Sequence, residues 1–98
     1  MLVAFSVAPA GGESDSVSKA VADAVRVVRE SGLPSETTSM FTTIEGEWDE
    51  VMAVVKKAVE VVQRGAPRVS LVLKADIRPG HTNQLTAKVE RIEQHLAE

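Results

Sequence analysis

Between residues 2 and 8, Val3, Phe5 and Val7 alternate with Leu2, Ala4, Ser6 and Ala8. This is the two-residue period of a strand, and neither side carries a charge. Pro9-Ala10-Gly11-Gly12 ends it in a turn. From about Ser16 to Ser31 the period lengthens. Val17, Ala20, Val21, Ala24, Val25 and Val28 recur at helical spacing and predict a helix with Val25 on its buried stripe. Ser14 or Ser16 can cap this helix, Glu13 and Asp15 suit its positive end, and Gly32 with Pro34 marks its stop. The Thr- and Ser-rich stretch that follows predicts a short hairpin, about 35–39 and 42–45, turning at Met40 and Phe41. It lacks an Asn-Gly or Gly-Gly turn signal, so one longer strand is the alternative.

A second helix over about 48–64 carries Val51, Val55, Ala58, Val59 and Val62 on one face and ends at Gly65 and Pro67. From Arg68 to Ile77, Val69, Leu71, Leu73, Ala75 and Ile77 alternate with Arg68, Ser70, Val72, Lys74 and Asp76, which predicts another strand. After the turn Arg78-Pro79-Gly80-His81, Thr82 can cap a last helix with the narrow stripe Leu85, Val89, Ile92 and Leu96. The order is β-α-β-β-α-β plus a C-terminal helix. It specifies an α+β, ferredoxin-like fold: an antiparallel four-stranded sheet with two helices on one face. The second face is left open, and the uncharged first strand makes association of copies through their sheets the expected outcome.

Composition narrows the function classes. At 98 residues the chain is read as one domain, 1–98. Its residues are 44% hydrophobic but only 3% aromatic, so Val, Ala and Leu must build the core. A net charge of −3 and a pI near 5.4 argue against general nucleic-acid binding, which relies on Lys and Arg. With no cysteine there is no disulfide framework, thiolate metal site or iron–sulfur cluster. The N-terminal residues resemble neither a signal peptide nor a membrane span, so a cytoplasmic location is expected. His81 and His95 lack the spacing of a helical zinc pair, and neither a metal nor another cofactor is expected.

No nucleophile elbow, Walker loop or dinucleotide fingerprint occurs. The most informative block runs from Thr37 to Trp48: hydroxyls at Thr37, Thr38, Ser39, Thr42 and Thr43, carboxylates at Glu45 and Glu47, and the only Trp. Hydroxyls both donate and accept, which suits an aminopyrimidine with its exocyclic amine and ring-nitrogen acceptors. The same Thr residues also suit any strand, and Glu47 with Asp49 suits any helix start. A second block, Lys74-x-Asp76-x-Arg78, sets three charges on one side of a strand end, as a small-molecule site or as a solvated ion pair.

These blocks carry a resemblance. Pro9-x-Gly11, the Ser-rich helix start, Thr43-Ile44-Glu45-Gly46-Glu47, Arg68-Val69, Lys74-x-Asp76-x-Arg78 and Lys88-Val89 together resemble the small thiamine-binding protein family over nearly the whole chain. That resemblance implies a ferredoxin-like fold, pairing through sheets into a dimer or homotetramer, and non-catalytic binding of thiamine or hydroxymethylpyrimidine. It implies ligand contacts from Ser16 or Ser18, Thr38, Ser39, Thr43 and Glu45, with a neighbouring subunit contributing. One departure stands out. The family often has Pro-Met-Gly-Thr at the hairpin, where this chain has Ser39-Met40-Phe41-Thr42. The Phe41 ring either narrows the pocket or stacks on the pyrimidine.

Two other function classes fit the scaffold: a cofactor-independent small-molecule enzyme and a structural oligomer without ligand. For the first, His81, Asp76 and Glu45 are the acid–base candidates, and nothing in the sequence shows them converging.

Overall fold

The computed structural model describes residues 1–11 and 17–98. The first element is strand β1 (Leu2–Ala10), followed by helix α1 (Val17–Glu30) and the hairpin of β2 (Ser35–Thr37) and β3 (Thr42–Glu45). Helix α2 (Trp48–Gln63), strand β4 (Arg68–Asp76) and helix α3 (Gln84–Leu96) complete the chain. The sheet order is β2-β3-β1-β4 with every pair antiparallel. Consecutive strands joined by a helix are thus separated by one inserted strand, which is the split βαβ topology expected from the sequence. The hairpin is present: β3 has the predicted bounds, while β2 ends at Thr37, two residues short of the predicted 39. Thr38 N–H donates to the Phe41 carbonyl at 2.8 Å, closing a turn over residues 38–41 without glycine.

Alternation in β1 sends Val3, Phe5 and Val7 into the core, where they meet Ile44 of β3, Ala24 and Val28 of α1, and Val51, Val55, Ala58 and Val62 of α2. Burying each of the Val, Ile and Phe side chains among them stabilises the fold by about 1.5–3 kcal/mol. Val25 lies beside this core, half-buried, rather than within it. Gly46 leads into α2 because the Glu50 carboxylate folds back to accept from the Glu47 N–H at 2.8 Å. A Cβ at Gly46 would stand 2.7 Å from Glu50 Oε1 and 3.0 Å from Val51 Cγ2.

Strands β1 and β4 pair along their whole length, Leu2 with Asp76 through Ala10 with Arg68. In contrast, β1 meets β3 only from Leu2 to Phe5. Opposite residues share a face. The face away from α1 and α2 therefore carries Leu2, Ala4, Ser6 and Ala8 flanked by Thr43 and Glu45 on one side and Val72, Lys74 and Asp76 on the other. Helix α3 stands on one end of this open face and buries none of its residues. Its start differs from the expected Thr82 cap: the N-cap position is Asn83, in left-handed conformation at φ 56°. Such a φ is tolerated by Asn better than by most residues.

Candidate functional site

Because β3 begins at Thr42 while β1 continues to Ala10, β1 from Ser6 onward has no described strand partner on its hairpin side. The hairpin turn and α1 border this gap, enclosing a cleft of about 210 Å³. Its floor is Phe5 to Ala8, one wall is Val21, Ala24 and Val25 of α1, and the other is Thr37 to Thr42. The unpaired strand edge presents alternating backbone N–H and C=O groups. Around it stand the hydroxyls of Thr38 and Ser39. Thr37 and Thr42 are partly committed to each other, with their Oγ1 atoms 3.2 Å apart. Thr38 Oγ1 lies 3.2 Å from the Phe41 carbonyl and 3.3 Å from the Phe41 nitrogen, so it also braces the turn. The half-buried Phe41 supplies an aromatic surface at the rim.

The sequence-predicted site residues fall into separate places. Thr38 and Ser39 line the cleft. Ser18 is exposed on the first turn of α1, and helical spacing puts it on the same side as Val21 and Val25, just beyond the cleft wall. Ser16 lies outside the described residues, as do the proposed cap Ser14 and the acidic pair Glu13 and Asp15. Thr43 and Glu45 point to the open face, since each is directly adjacent in the strand to core-facing Ile44.

Glu45 has a defined task there. It is 8% exposed, and its two oxygens accept the N–H groups of Gln84 at 2.8 Å and Leu85 at 3.1 Å. A carboxylate thus caps the start of α3, matching the positive end of the helix. Asp76, on the same open face, pairs with Lys88 one turn further along α3. The hydrogen bond and charge of Lys88, aided by Arg78 and Lys74, hold the Asp76 carboxyl below its ordinary range. Within the Lys-x-Asp-x-Arg block, Asp76 is therefore an attachment point for α3. Trp48 opens α2 beyond Glu45, at the far end of β3 from the hairpin turn, so the Thr37–Trp48 block is divided along the strand. Sequence reading missed Phe5 to Ala8 as cleft floor, because the signal was the length mismatch between β1 and β3. Among the described residues, no group of three or more His, Cys, Asp or Glu is placed to hold a metal.

The family model for thiamine-binding proteins matches residues 3–93. The chain belongs to this family. Its relatives include the UPF0045 protein Mb1933 of Mycobacterium bovis, 56% identical over 97 residues and spanning 98% of this chain and 94% of that one. The UPF0045 protein YqgV of Bacillus subtilis is 32% identical, covering 93% and 92%. Among solved structures, MJ1052 from the archaeon Methanocaldococcus jannaschii superimposes with a TM-score of 0.84 at 34% identity, covering 94% of both chains. A Thermotoga maritima protein assigned a candidate role in thiamine biosynthesis or salvage has a TM-score of 0.76 at 27% identity, covering 92% of this chain and 97% of that one. The family and these neighbours agree with the α+β, ferredoxin-like architecture and indicate a ligand-binding role. No described helix is long and apolar enough to cross a membrane.

Proposed function

We propose that this chain binds thiamine or its hydroxymethylpyrimidine moiety in the cleft between the hairpin and α1, without catalysing a reaction on it. We place it in the cytoplasm as a dimer or tetramer that carries, sequesters or senses the ligand. The observation that carries this reading is the unpaired edge of β1 beside the Thr38 and Ser39 hydroxyls. An aminopyrimidine presents an amine donor next to a ring-nitrogen acceptor, the complement of adjacent C=O and N–H groups on a strand edge. The cleft volume of about 210 Å³ is below the roughly 300–1,000 Å³ of a typical ligand pocket. It suits one aromatic ring, with the rest of the ligand lying outside or against a neighbouring subunit.

The described side chains of the cleft lining are apolar or hydroxyl-bearing, and Glu45, Asp76 and His81 are not among them. General acid–base chemistry requires a titratable group within reach of the ligand. Calorimetry with hydroxymethylpyrimidine, thiamine and the isolated thiazole alcohol tests the proposal. The first two should bind and the third should not. Thr38→Val and Ser39→Ala should each weaken binding by about 0.5–1.5 kcal/mol. Failure of both pyrimidine compounds to bind at millimolar concentration, or unchanged affinity in both variants, would overturn it.

A further inference from the structure

A second depression lies on the other side of Val25 from the cleft. It is an open groove of about 520 Å³ along α1, lined among the described residues by Ala22, Val25, Arg26, Arg29 and Glu30. Val25 also walls the cleft, so the two are contiguous. At about 100° per residue, Val21 and Ala24 turn from Val25 toward the cleft, while Arg29 stands about 40° round the other way, Ala22 about 60°, Arg26 about 100° and Glu30 about 140°. Arg29 is thus the charged side chain nearest the cleft, one turn or about 6 Å along the axis from Val25. The small side chain of Ala22 leaves room beside it. Among the described residues the exposed Arg29 is in no ion pair, whereas Arg26 donates to Asp23 at 2.7 Å and is drawn away from the cleft.

We infer that this groove holds the phosphate of a phosphorylated ligand whose aminopyrimidine occupies the cleft, with Arg29 as the principal contact. The inference rests on the cleft reading proposed above and extends it to a ligand class, the phosphate monoester. A planar guanidinium forks onto two phosphate oxygens, a pairing stronger than a neutral hydrogen bond. Hydroxymethylpyrimidine phosphate carries such a group one methylene from the ring, and thiamine phosphate carries it beyond the thiazolium. Either sets an anion past Val25 while the ring stays against β1. Free phosphate is a poor match. Asp23, Glu30 and the negative C-terminal end of α1, in whose last turn Arg29 lies, oppose an isolated dianion. An anion tethered to a ring already seated in the cleft meets Arg29 at high effective concentration, which offsets that opposition. The groove therefore selects ligands that carry both parts.

Calorimetry on the full chain compares hydroxymethylpyrimidine with its phosphate, and thiamine with its monophosphate. At least one phosphate should bind about tenfold more tightly than its unphosphorylated parent, and the gain should shrink as salt is raised. The pair that shows the gain tells whether the phosphate sits next to the pyrimidine or beyond the thiazolium. Arg29→Met keeps an aliphatic stem and should bring the two affinities of that pair together. Arg29→Lys keeps the charge at the helix end but loses the fork, and should retain only part of the gain. Asp23→Asn releases Arg26 and should enlarge it. Inorganic phosphate at millimolar concentration should displace neither ligand. The outcomes separate this inference from the cleft reading. If the parents bind and neither phosphate binds more tightly, or if Arg29→Met retains the whole gain, the phosphate site is overturned while the cleft stands. If no compound binds at millimolar concentration, both fall.

Discussion

Replacing Glu45 with glutamine leaves the side-chain shape nearly unchanged but removes the charge that holds the start of α3. In the wild type both oxygens accept backbone N–H groups, from Gln84 at 2.8 Å and Leu85 at 3.1 Å, at a site 8% exposed. Glutamine keeps one acceptor and turns an NH2 donor toward the other N–H. The loss is one charge-assisted hydrogen bond, about 1.5–3 kcal/mol, plus the charge–dipole interaction at the helix start, about 0.3–1 kcal/mol. Together these amount to about 2–4 kcal/mol, a change of roughly 30- to 1,000-fold in the docking equilibrium of α3. Since α3 buries no residue and a free helix of its length is marginal, little else opposes its release. Amide hydrogen exchange should show Gln84 and Leu85 losing protection by that factor while Val3 to Phe5 in β1 keep theirs. Unchanged protection at Gln84 and Leu85, or an equal loss across β1, would refute the assignment of Glu45 as a local clamp.

Ile44→Ala should destabilise the whole domain by about 2–5 kcal/mol and lower Tm by at least about 8 °C, because Ile44 is fully buried between sheet and helices; a shift below about 4 °C would contradict this packing. Gly46→Ala should cost about 1–3 kcal/mol in a denaturant melt, since its Cβ would press on Glu50 and Val51; wild-type stability would show that this corner relaxes freely. Asp76 should titrate below the ordinary carboxylate value by NMR, mainly through its hydrogen bond to Lys88, and Lys88→Met should raise the midpoint. With the folded pKa depressed, the stabilising contribution is present above the unfolded value and is lost as pH falls through the folded one, so acid should loosen this second attachment of α3.

The fold was largely legible because its determinants are local and periodic. Val3, Phe5 and Val7 alternate on a strand, Val51, Val55, Ala58 and Val62 recur along a helix, and Gly32 and Pro34 interrupt the pattern between elements. What escaped depends on contacts distant in sequence. Thr82 carries a good capping side chain, yet the cap of α3 comes from Glu45, 39 residues before Gln84. Likewise Val25 fits the apolar period of α1 as well as Val28 does. The sequence does not reveal that the hairpin turn stops short of covering it and leaves it lining a cleft.

The candidate site was legible in its residue types but not in its arrangement. Thr37 to Glu45 reads as one polar block, whereas strand parity and strand length divide it. The parity of β3 sends Thr43 and Glu45 to the open face, and the turn carries Thr38 and Ser39 to the cleft. This division bears on the orientation of a ligand such as thiamine. Its neutral aminopyrimidine matches a cleft lined by hydroxyls and apolar groups, while burial of its cationic thiazolium among them would leave a charge without a counter-ion. The pyrimidine should therefore enter against the free edge of β1 and the thiazolium should remain outside. Any anionic group that improves thiamine over hydroxymethylpyrimidine must then come from beyond the described cleft lining, with a neighbouring subunit as the natural source.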